Sequence, residues 1–367
     1  MIPFIDLEAQ KARLGSRAND AIARVIAHGK FIMGPEITEL EAKLASFCGV
    51  KHAVSCASGT DALFLALLAK GIGQGDAVFV PSMTFVSTAE VVVLAGATPV
   101  FVDVQPDTFN MDVASLKQAI AVAKAQGLAP KAIIPVDLFG LPADYDAINK
   151  IAAEHNMWVM GDAAQSFGAR CNGKRVGSLA EVTASSFFPA KPLGCYGDGG
   201  AVFTDDKGLA NIMESLRVHG KGEDKYDNIR VGVNARLDTM QAAVLLAKLE
   251  IYPEEIELRQ RAAMRYQGML EGVVQTPFIP EGYQSVWAQY TVVLPEGYNR
   301  DDVMKRMHSD GVPTMVYYPK PLHRQTAYTQ FPKAQAALPV SEMLAARVLS
   351  VPMHPYLTEE VQARIAG

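Results

Sequence analysis

Short apolar runs alternate with longer amphipathic stretches through the first two-thirds of the chain. The apolar runs predict β-strands at 53–56, 77–80, 99–104, 132–138 and 157–161. The amphipathic stretches predict helices at 10–28, 37–47, 62–70, 87–94, 113–125 and 145–155. Buried strands separated by helices are typical of a mostly parallel sheet covered on both faces. The pattern therefore predicts an α/β fold, with ligands bound where the strands end.

The pattern changes toward the C-terminus. Two more strands are predicted near 184–188 and 201–204, followed by a helix at about 208–218. A long helical stretch from about Thr239 contains Pro253, which predicts a kink or a division there. Beyond it, short strands and helices are predicted at 286–294, 301–309, 311–317 and 341–349. We expect a large domain over residues 1–250 and a smaller α+β domain over 251–367.

Composition and charge exclude several classes of protein. The 367 residues are 49% hydrophobic, which is enough for a sizeable core. The net charge is −5 and no basic stripe is present, so we expect no nucleic-acid partner. The sequence has no apolar run near the roughly 20 residues of a membrane span, and Asp6 and Glu8 lie where a signal peptide is basic. The sequence has no H-x-x-x-H pair, so we expect no metal site. The four scattered cysteines form no C-x-x-C pair and are typical of reduced thiols, so we expect a cytoplasmic protein.

Two predicted strand ends carry candidate polar groups. Ser58, Gly59 and Thr60 lie between a strand and a helix, where free backbone N–H groups suit a phosphate. Ordinary helix capping by Ser58 or Thr60 explains the same residues. Asp162 directly follows an apolar strand, and a carboxylate in such a place needs a positive partner or hydrogen-bond donors. Asp162 as another helix cap is the alternative.

Lys191 has unusual neighbours for a lysine. Phe187 and Phe188 precede it, and prolines lie two residues before it and one after. A lysine with an apolar, conformationally fixed environment suits Schiff-base chemistry, because desolvation lowers the pKa of its amine. A fourth segment, with Asn234 and Arg236, opens a helix and is also compatible with simple capping and a solvated arginine.

Taken together, these motifs resemble the DegT/DnrJ/EryC1/StrS family of sugar-nucleotide aminotransferases, which use pyridoxal 5′-phosphate (PLP) on the fold-type-I scaffold. The similarity runs from Phe4 nearly to the C-terminus. Its most specific parts are residues 57–63, 162–168 and 185–200. The resemblance implies that residues 1–250 form the PLP-binding domain.

The resemblance also implies roles for single residues. Lys191 is expected to bind PLP covalently and to carry the proton during catalysis, and Asp162 is expected to pair with the ring nitrogen. The other expected cofactor contacts are Gly59, Thr60 and Ser186 to the phosphate, Gln165 to the ring 3-oxygen, Phe85 to the ring face, and Asn234 of a neighbouring subunit to the phosphate. That last contact implies a homodimer with shared active sites.

The implied reaction transfers an amino group from L-glutamate to the C3 ketone of UDP-2-acetamido-2-deoxy-3-oxo-D-glucuronate. Such a product serves a surface polysaccharide of the O-antigen type. We expect Arg236 to bind carboxylate, with a surface ion pair as its alternative role. Tyr317, Tyr318 and His323 match the family's substrate segment. The family frequently has His-Tyr where this chain has Tyr-Tyr, so no histidine role passes to Tyr317.

Three other functions remain open from the sequence. They are amination at C4 of a nucleotide sugar, PLP-dependent sugar dehydration, and PLP binding by a regulator without turnover. The dehydratases typically have histidine in place of the PLP-binding lysine, so Lys191 favours the aminotransferase.

Overall fold

The strands and helices follow the predicted alternation closely. The computed structural model describes residues 2–224 and 226–367. Its strands are β1 (His52–Cys56), β2 (Asp76–Pro81), β3 (Thr98–Val102), β4 (Ala129–Ile133), β5 (Trp158–Asp162), β6 (Arg170–Cys171), β7 (Lys174–Arg175), β8 (Val182–Ser186), β9 (Gly200–Thr204), β10 (Tyr283–Gln284), β11 (Tyr290–Val293) and β12 (Val348–Val351). Its α-helices are α1 (Leu7–Leu14), α2 (Arg17–His28), α3 (Pro35–Cys48), α4 (Gly59–Ala69), α5 (Ser87–Leu94), α6 (Val113–Ala125), α7 (Tyr145–Glu154), α8 (Lys207–Leu216), α9 (Thr239–Leu270), α10 (Arg300–Ser309), α11 (Pro339–Arg347) and α12 (Glu359–Ala366).

The main sheet is mostly parallel, as predicted. Within the described ranges it has seven strands in the order β1-β9-β8-β5-β4-β2-β3. The pairs β2–β3, β2–β4, β4–β5 and β5–β8 are parallel, and β9 runs antiparallel to both of its neighbours. The loops that follow β1, β2, β4, β5 and β8 therefore leave the same edge of the sheet. The residues expected to bind PLP lie mainly on these loops.

Two hydrophobic cores flank the long helix α9. Its first half contributes Ala242 and Leu245 to a cluster with α3 and the sheet. Its second half contributes Ala262 and Tyr266 to the C-terminal cluster, which includes residues of β11, β12 and α12. The small sheet β11–β12 is antiparallel. In the part of the chain that the structure describes, no helix combines the length and apolar character of a bilayer span.

Several predicted boundaries are wrong for identifiable reasons. The stretch 10–28 is two helices, because Gly15 has a positive φ of 60° and ends α1. Pro253 does not divide α9, which continues to Leu270 with buried residues on both sides of the proline. Residues 311–317 form no strand, and their pairing is a single bridge between Met315 and Ser350. The apolar residues Val348 and Leu349 belong to β12 and not to α11, and only Tyr290–Val293 of the stretch 286–294 is a strand.

Candidate active site

The start of α4 lies directly against the end of β8. Ser58 caps the helix by accepting a hydrogen bond from the Asp61 backbone N–H at 3.0 Å. The first N–H groups of a helix have no partner within it. A Cβ added to Gly59 would lie 2.6 Å from the Cβ of Ser186, so only glycine allows this approach. The structure thus brings Gly59, Thr60 and Ser186 together, and the capping role of Ser58 coexists with free N–H groups suited to a phosphate.

Asp162 is buried at the end of β5, with 4% of its surface exposed. Its carboxylate accepts hydrogen bonds from the Thr88 hydroxyl at 2.8 Å and from the Ala164 backbone N–H at 3.2 Å. Burial raises the pKa of Asp162, whereas the two donors and the nearby Lys191 amine oppose that rise. Two hydrogen-bond donors therefore position the buried carboxylate, and the Lys191 amine lies close enough to influence its ionisation.

Lys191 points into the same region. Its side chain is partly buried and makes no hydrogen bond or ion pair to another described residue. Burial lowers the pKa of the Lys191 amine, and the charge of Asp162 raises it by less. Of the two phenylalanines before it, Phe187 is buried and Phe188 is exposed. The amine is therefore biased toward the neutral, nucleophilic form and is free to react.

Gln165 and Tyr318 connect the end of β5 to the C-terminal part of the chain. The Gln165 side chain accepts from the Phe139 backbone N–H at 2.7 Å and donates to the Tyr318 hydroxyl at 3.2 Å. The Tyr318 ring lies 6.2 Å from the ring of Phe85, which is half exposed. Tyr317 contacts the Tyr318 ring at 5.9 Å. The structure therefore places both tyrosines beside the predicted cofactor residues.

Asn234 and Arg236 lie on a segment that passes beside the start of α4. The Ala57 backbone N–H donates to the Ala235 carbonyl at 3.1 Å. The Asn234 side chain is exposed, and the buried Arg236 Nε has no hydrogen-bond partner. Within residues 2–224 and 226–367, no carboxylate forms an ion pair with Arg236. The surface ion pair considered as its alternative role is therefore not present in the structure.

His323 differs from the other predicted substrate residues because both of its ring nitrogens already have partners. Nδ1 lies 2.6 Å from the Ser82 hydroxyl and Nε2 lies 2.9 Å from the Glu342 carboxylate. The side chain is buried, and burial lowers its pKa. The expected contact between His323 and substrate stays a prediction, and the geometry favours an internal role.

Two important residues were not predicted from the sequence. Thr88, in the first turn of α5, donates to Asp162. Its only signal in the sequence was a hydroxyl residue near the start of a predicted helix. Asp137, which follows β4, accepts from the Ser166 and Tyr145 hydroxyls at 2.6 and 2.9 Å. Burial raises the pKa of Asp137 to about 7. Asp137 lay inside the predicted strand 132–138, and its true position beyond the end of β4 became visible only in the structure.

Comparisons with known proteins identify the family. Residues 12–367 match the model of the DegT/DnrJ/EryC1/StrS aminotransferase family, and the chain belongs to this family. The UDP-2-acetamido-2-deoxy-3-oxo-D-glucuronate aminotransferase of Pseudomonas aeruginosa is 51% identical, over 97% of this chain and 96% of the relative. A UDP-N-acetyl-3-dehydro-alpha-D-glucosamine 3-aminotransferase of Acidithiobacillus ferrooxidans is 44% identical, over 100% and 96%. The resemblance seen in the sequence is thus confirmed.

Solved structures support the same fold and cofactor. A DegT/DnrJ/EryC1/StrS aminotransferase from Brucella abortus has a TM-score of 0.98 and 53% identity, covering 100% of this chain and 98% of the other. A Bacillus subtilis protein with bound pyridoxamine phosphate has a TM-score of 0.89 and 30% identity, covering 100% and 83%. The predicted fold type is confirmed, and the chain is an aminotransferase of a PLP-dependent family.

Proposed function

We propose that this protein transfers the amino group of L-glutamate to the C3 ketone of UDP-2-acetamido-2-deoxy-3-oxo-D-glucuronate. The observation that carries the proposal is the free Lys191 amine, with its pKa lowered by burial, beside the buried carboxylate of Asp162. The full-length similarity to the Pseudomonas aeruginosa enzyme of that name supports this choice of substrate. The amino sugar would serve a surface polysaccharide of the O-antigen type, made in the cytoplasm.

The described residues fit PLP at both of its ends. The approach between Gly59 and Ser186 leaves helix N–H groups, including that of Thr60, to bind a phosphate, and the Ser186 hydroxyl adds a donor. At the other end, Asp162 supplies a carboxylate for a protonated ring nitrogen. We propose Phe85 as the aromatic contact on the ring face and Gln165 as the contact to the ring 3-oxygen.

PLP, when bound, would supply the carbon that carries the amino group between glutamate and the keto-sugar. The chain's own residues provide the rest of the chemistry. Lys191 Nζ would hold the cofactor and would move the proton to and from the substrate carbon. Asp162 holds the proton on the ring nitrogen because its carboxylate is fixed by Thr88 and Ala164. Gln165 holds the Tyr318 hydroxyl beside this site.

We propose that Arg236 binds the carboxylate of the uronic acid. A guanidinium forms two parallel hydrogen bonds to a carboxylate, and Arg236 has no internal acid to satisfy it. Glutamate also carries carboxylates, so the same arginine serves both half-reactions. Tyr317 and Tyr318 complete the proposed substrate side of the pocket.

We also propose a homodimer in which Asn234 of the neighbouring subunit reaches the phosphate. Asn234 is exposed on its own subunit, and the nearby apolar side chains of Phe31, Ile32 and Val231 are exposed as well. Burial of such residues against a second copy would stabilise the dimer. The proposed division into domains at residues 1–250 and 251–367 falls within α9, whose residues Tyr252 and Ile256 still pack in the first core.

The test is a panel of 3-oxo and 4-oxo nucleotide sugars, each supplied with glutamate and analysed by mass spectrometry and NMR. Amination of the 3-oxo uronic acid is expected. Exclusive C4 amination, dehydration, or PLP binding without conversion of glutamate would each support one of the alternatives and contradict the proposal.

Arg236→Ala tests the carboxylate contact. We expect kcat/KM for the uronic acid to fall by about 100-fold or more, the cost of an unpaired charged hydrogen-bonding group, and to fall far less with an uncharged hexose analogue. Arg236→Lys is the matched control, since it keeps the charge and loses the paired donors. Equal losses of Arg236→Ala on the two sugars would contradict the assignment.

A further inference from the structure

His323 is held at both ring nitrogens inside the protein. Nε2 lies 2.9 Å from Glu342, whose pKa is lowered chiefly by its hydrogen bond with His323. A carboxylate only accepts hydrogen bonds, so Nε2 carries the proton and donates it. Nδ1 then accepts from the Ser82 hydroxyl at 2.6 Å. A histidine in this state has no nitrogen left for a substrate.

Ser82 begins a loop that supplies much of the proposed cofactor site. This segment, residues 82–88, follows β2 and is named here the β2 loop. It carries Phe85, then Ser87, whose hydroxyl lies 2.8 Å from that of Thr60, and then Thr88, which donates to Asp162. The first residue of the β2 loop is therefore fixed by His323, and the last by Asp162.

The segment that carries His323 also carries Tyr318. The Tyr318 hydroxyl accepts from Gln165, and its ring contacts Phe85 of the β2 loop. The backbone N–H of Leu322 donates to the Ser82 carbonyl at 2.8 Å. His323 thus joins the β2 loop to the segment that closes over it.

Glu342 connects His323 to a rigid support. It lies in the first turn of α11, where the Asp103 carboxylate accepts from the backbone N–H of Ser341 at 2.8 Å and from its hydroxyl at 2.6 Å. Arg324 adds an ion pair to Glu342 at 2.9 Å. The Nε2 side of the ring is consequently anchored to a fixed helix start, and the Nδ1 side transmits that position to the β2 loop.

We propose that His323 is a positioning residue that orients the β2 loop and Tyr318 around the cofactor, and that it makes no contact with substrate. The expected effects of His323 substitutions on the two half-reactions rest on the proposed function, because they require those half-reactions to occur. The expected effect of these substitutions on PLP affinity does not depend on the proposed function. A residue that positions the cofactor site affects both half-reactions equally, whereas a substrate contact affects only the half-reaction of its own substrate.

Two substitutions at His323 test its bonds to Ser82 and to Glu342 one at a time. In His323→Asn, the amide oxygen takes the place of Nδ1 and accepts from Ser82, but the side chain is too short for Glu342. In His323→Gln, the side-chain amide reaches toward Glu342 and no longer accepts from the Ser82 hydroxyl, and only the backbone N–H of residue 323 still contacts that hydroxyl, at 3.4 Å. His308→Gln is the matched control, because His308 is exposed on α10. The measurements are the dissociation constant of PLP from each apo-protein and kcat/KM of each half-reaction.

We expect His323→Gln to weaken PLP binding about tenfold and to lower kcat/KM of both half-reactions by equal factors, as loss of a buried hydrogen bond predicts. His323→Asn keeps the Ser82 bond but loses the anchor on Glu342, so it should weaken PLP binding by about three- to tenfold, and His308→Gln should match the wild type. A loss confined to the nucleotide-sugar half-reaction, with unchanged PLP affinity, would overturn the proposal. So would wild-type behaviour of His323→Gln.

Ser82→Ala is the second route should His323→Gln not fold, since it removes only the hydroxyl and keeps the backbone bond from Leu322. It should reproduce the tenfold loss of PLP affinity. Nitrogen-15 NMR of labelled histidine adds a readout independent of activity. We expect His323 in the Nε2–H tautomer, and the Nδ1–H tautomer would contradict the proposed bonds. If the wild type shows no glutamate half-reaction, the proposed function fails, while PLP affinity and the NMR signal still decide the role of His323.

Discussion

Replacement of Thr88 by valine should shift the acid limb of the pH profile of the glutamate half-reaction to higher pH. The Thr88 hydroxyl donates to Asp162 at 2.8 Å, and both side chains are buried, with 1% and 4% of their surfaces exposed. A buried hydrogen bond to a charged group contributes about 1.5–3 kcal/mol. Since 1.36 kcal/mol corresponds to one pKa unit, loss of this donor should raise the pKa of Asp162 by about one to two units.

The sign follows from which form of Asp162 the donor stabilises. Thr88 favours the carboxylate, so its loss favours the protonated acid, which cannot pair with a protonated ring nitrogen. In Thr88→Val we expect the acid limb of the pH profile of the glutamate half-reaction to lie about one to two units higher than in the wild type. Cofactor affinity at neutral pH should fall about tenfold or more.

Unfolding of the apo-protein gives an independent check. Burial raises the folded-state pKa of Asp162 above its unfolded value. The contribution of Asp162 to stability is therefore complete at pH values below the unfolded pKa, and it is lost as the pH rises through the folded pKa. Thr88→Val raises the folded pKa further. The free energy of unfolding should therefore fall by about 1.5–3 kcal/mol at neutral pH and by less in acid.

Thr291→Val is a suitable control for a lost buried hydroxyl. Thr291 is buried in β11 and bonds the Ser350 hydroxyl, which is not an ionisable group, at 2.7 Å. Its loss should lower stability by about 1 kcal/mol without pH dependence. If Thr88→Val behaved like Thr291→Val, with an unmoved acid limb, the hydrogen bond would not control the ionisation of Asp162 and the reasoning would fail.

Two further predictions concern the phosphate end and the shared site. Gly59→Ala places a Cβ 2.6 Å from that of Ser186 and should weaken PLP binding about tenfold or more in a titration, whereas Gly73→Ala, whose Cβ meets nothing nearer than 3.8 Å, should not. Lys191→Ala should lose both half-reactions and the cofactor mass retained after borohydride reduction. Refolding it together with Asn234→Ala should restore activity, because a mixed dimer has one complete site, and no recovery would contradict the shared-site proposal.

Much of the fold was predictable because each parallel strand is a short apolar run between amphipathic helices. The helix Ser87–Leu94 was predicted at its exact bounds, and Asp162 was identified from its place after a buried strand. The wrong predictions lie where tertiary contacts override local pattern. Pro253 continues the helix because packing on two cores fixes both of its sides. Val348 and Leu349 form a strand because β11 offers a pairing edge.

The contacts within the site were less predictable because they join residues distant in sequence. Thr88 and Asp162 are 74 positions apart, and Ser82 and His323 are 241 apart. Whether such pairs meet depends on the order of strands in the sheet, where β4 alone separates β2 from β5. Hydrophobic periodicity gives the position and length of a strand but not its neighbours. Residue roles taken from the family could not separate a substrate contact from an internal one either, as His323 illustrates.

The β2 loop connects the part of the proposed active site formed by the main sheet with the C-terminal part of the chain. Ser87 joins it to the phosphate end through Thr60, and Thr88 joins it to the ring end through Asp162. The His323 bond to Ser82 then links the same loop to α11 through Glu342. A shift of α11 would therefore move both ends of the cofactor site together. Such a connection lets the C-terminal part of the protein, which carries Tyr318, stay aligned with a cofactor bound by the sheet.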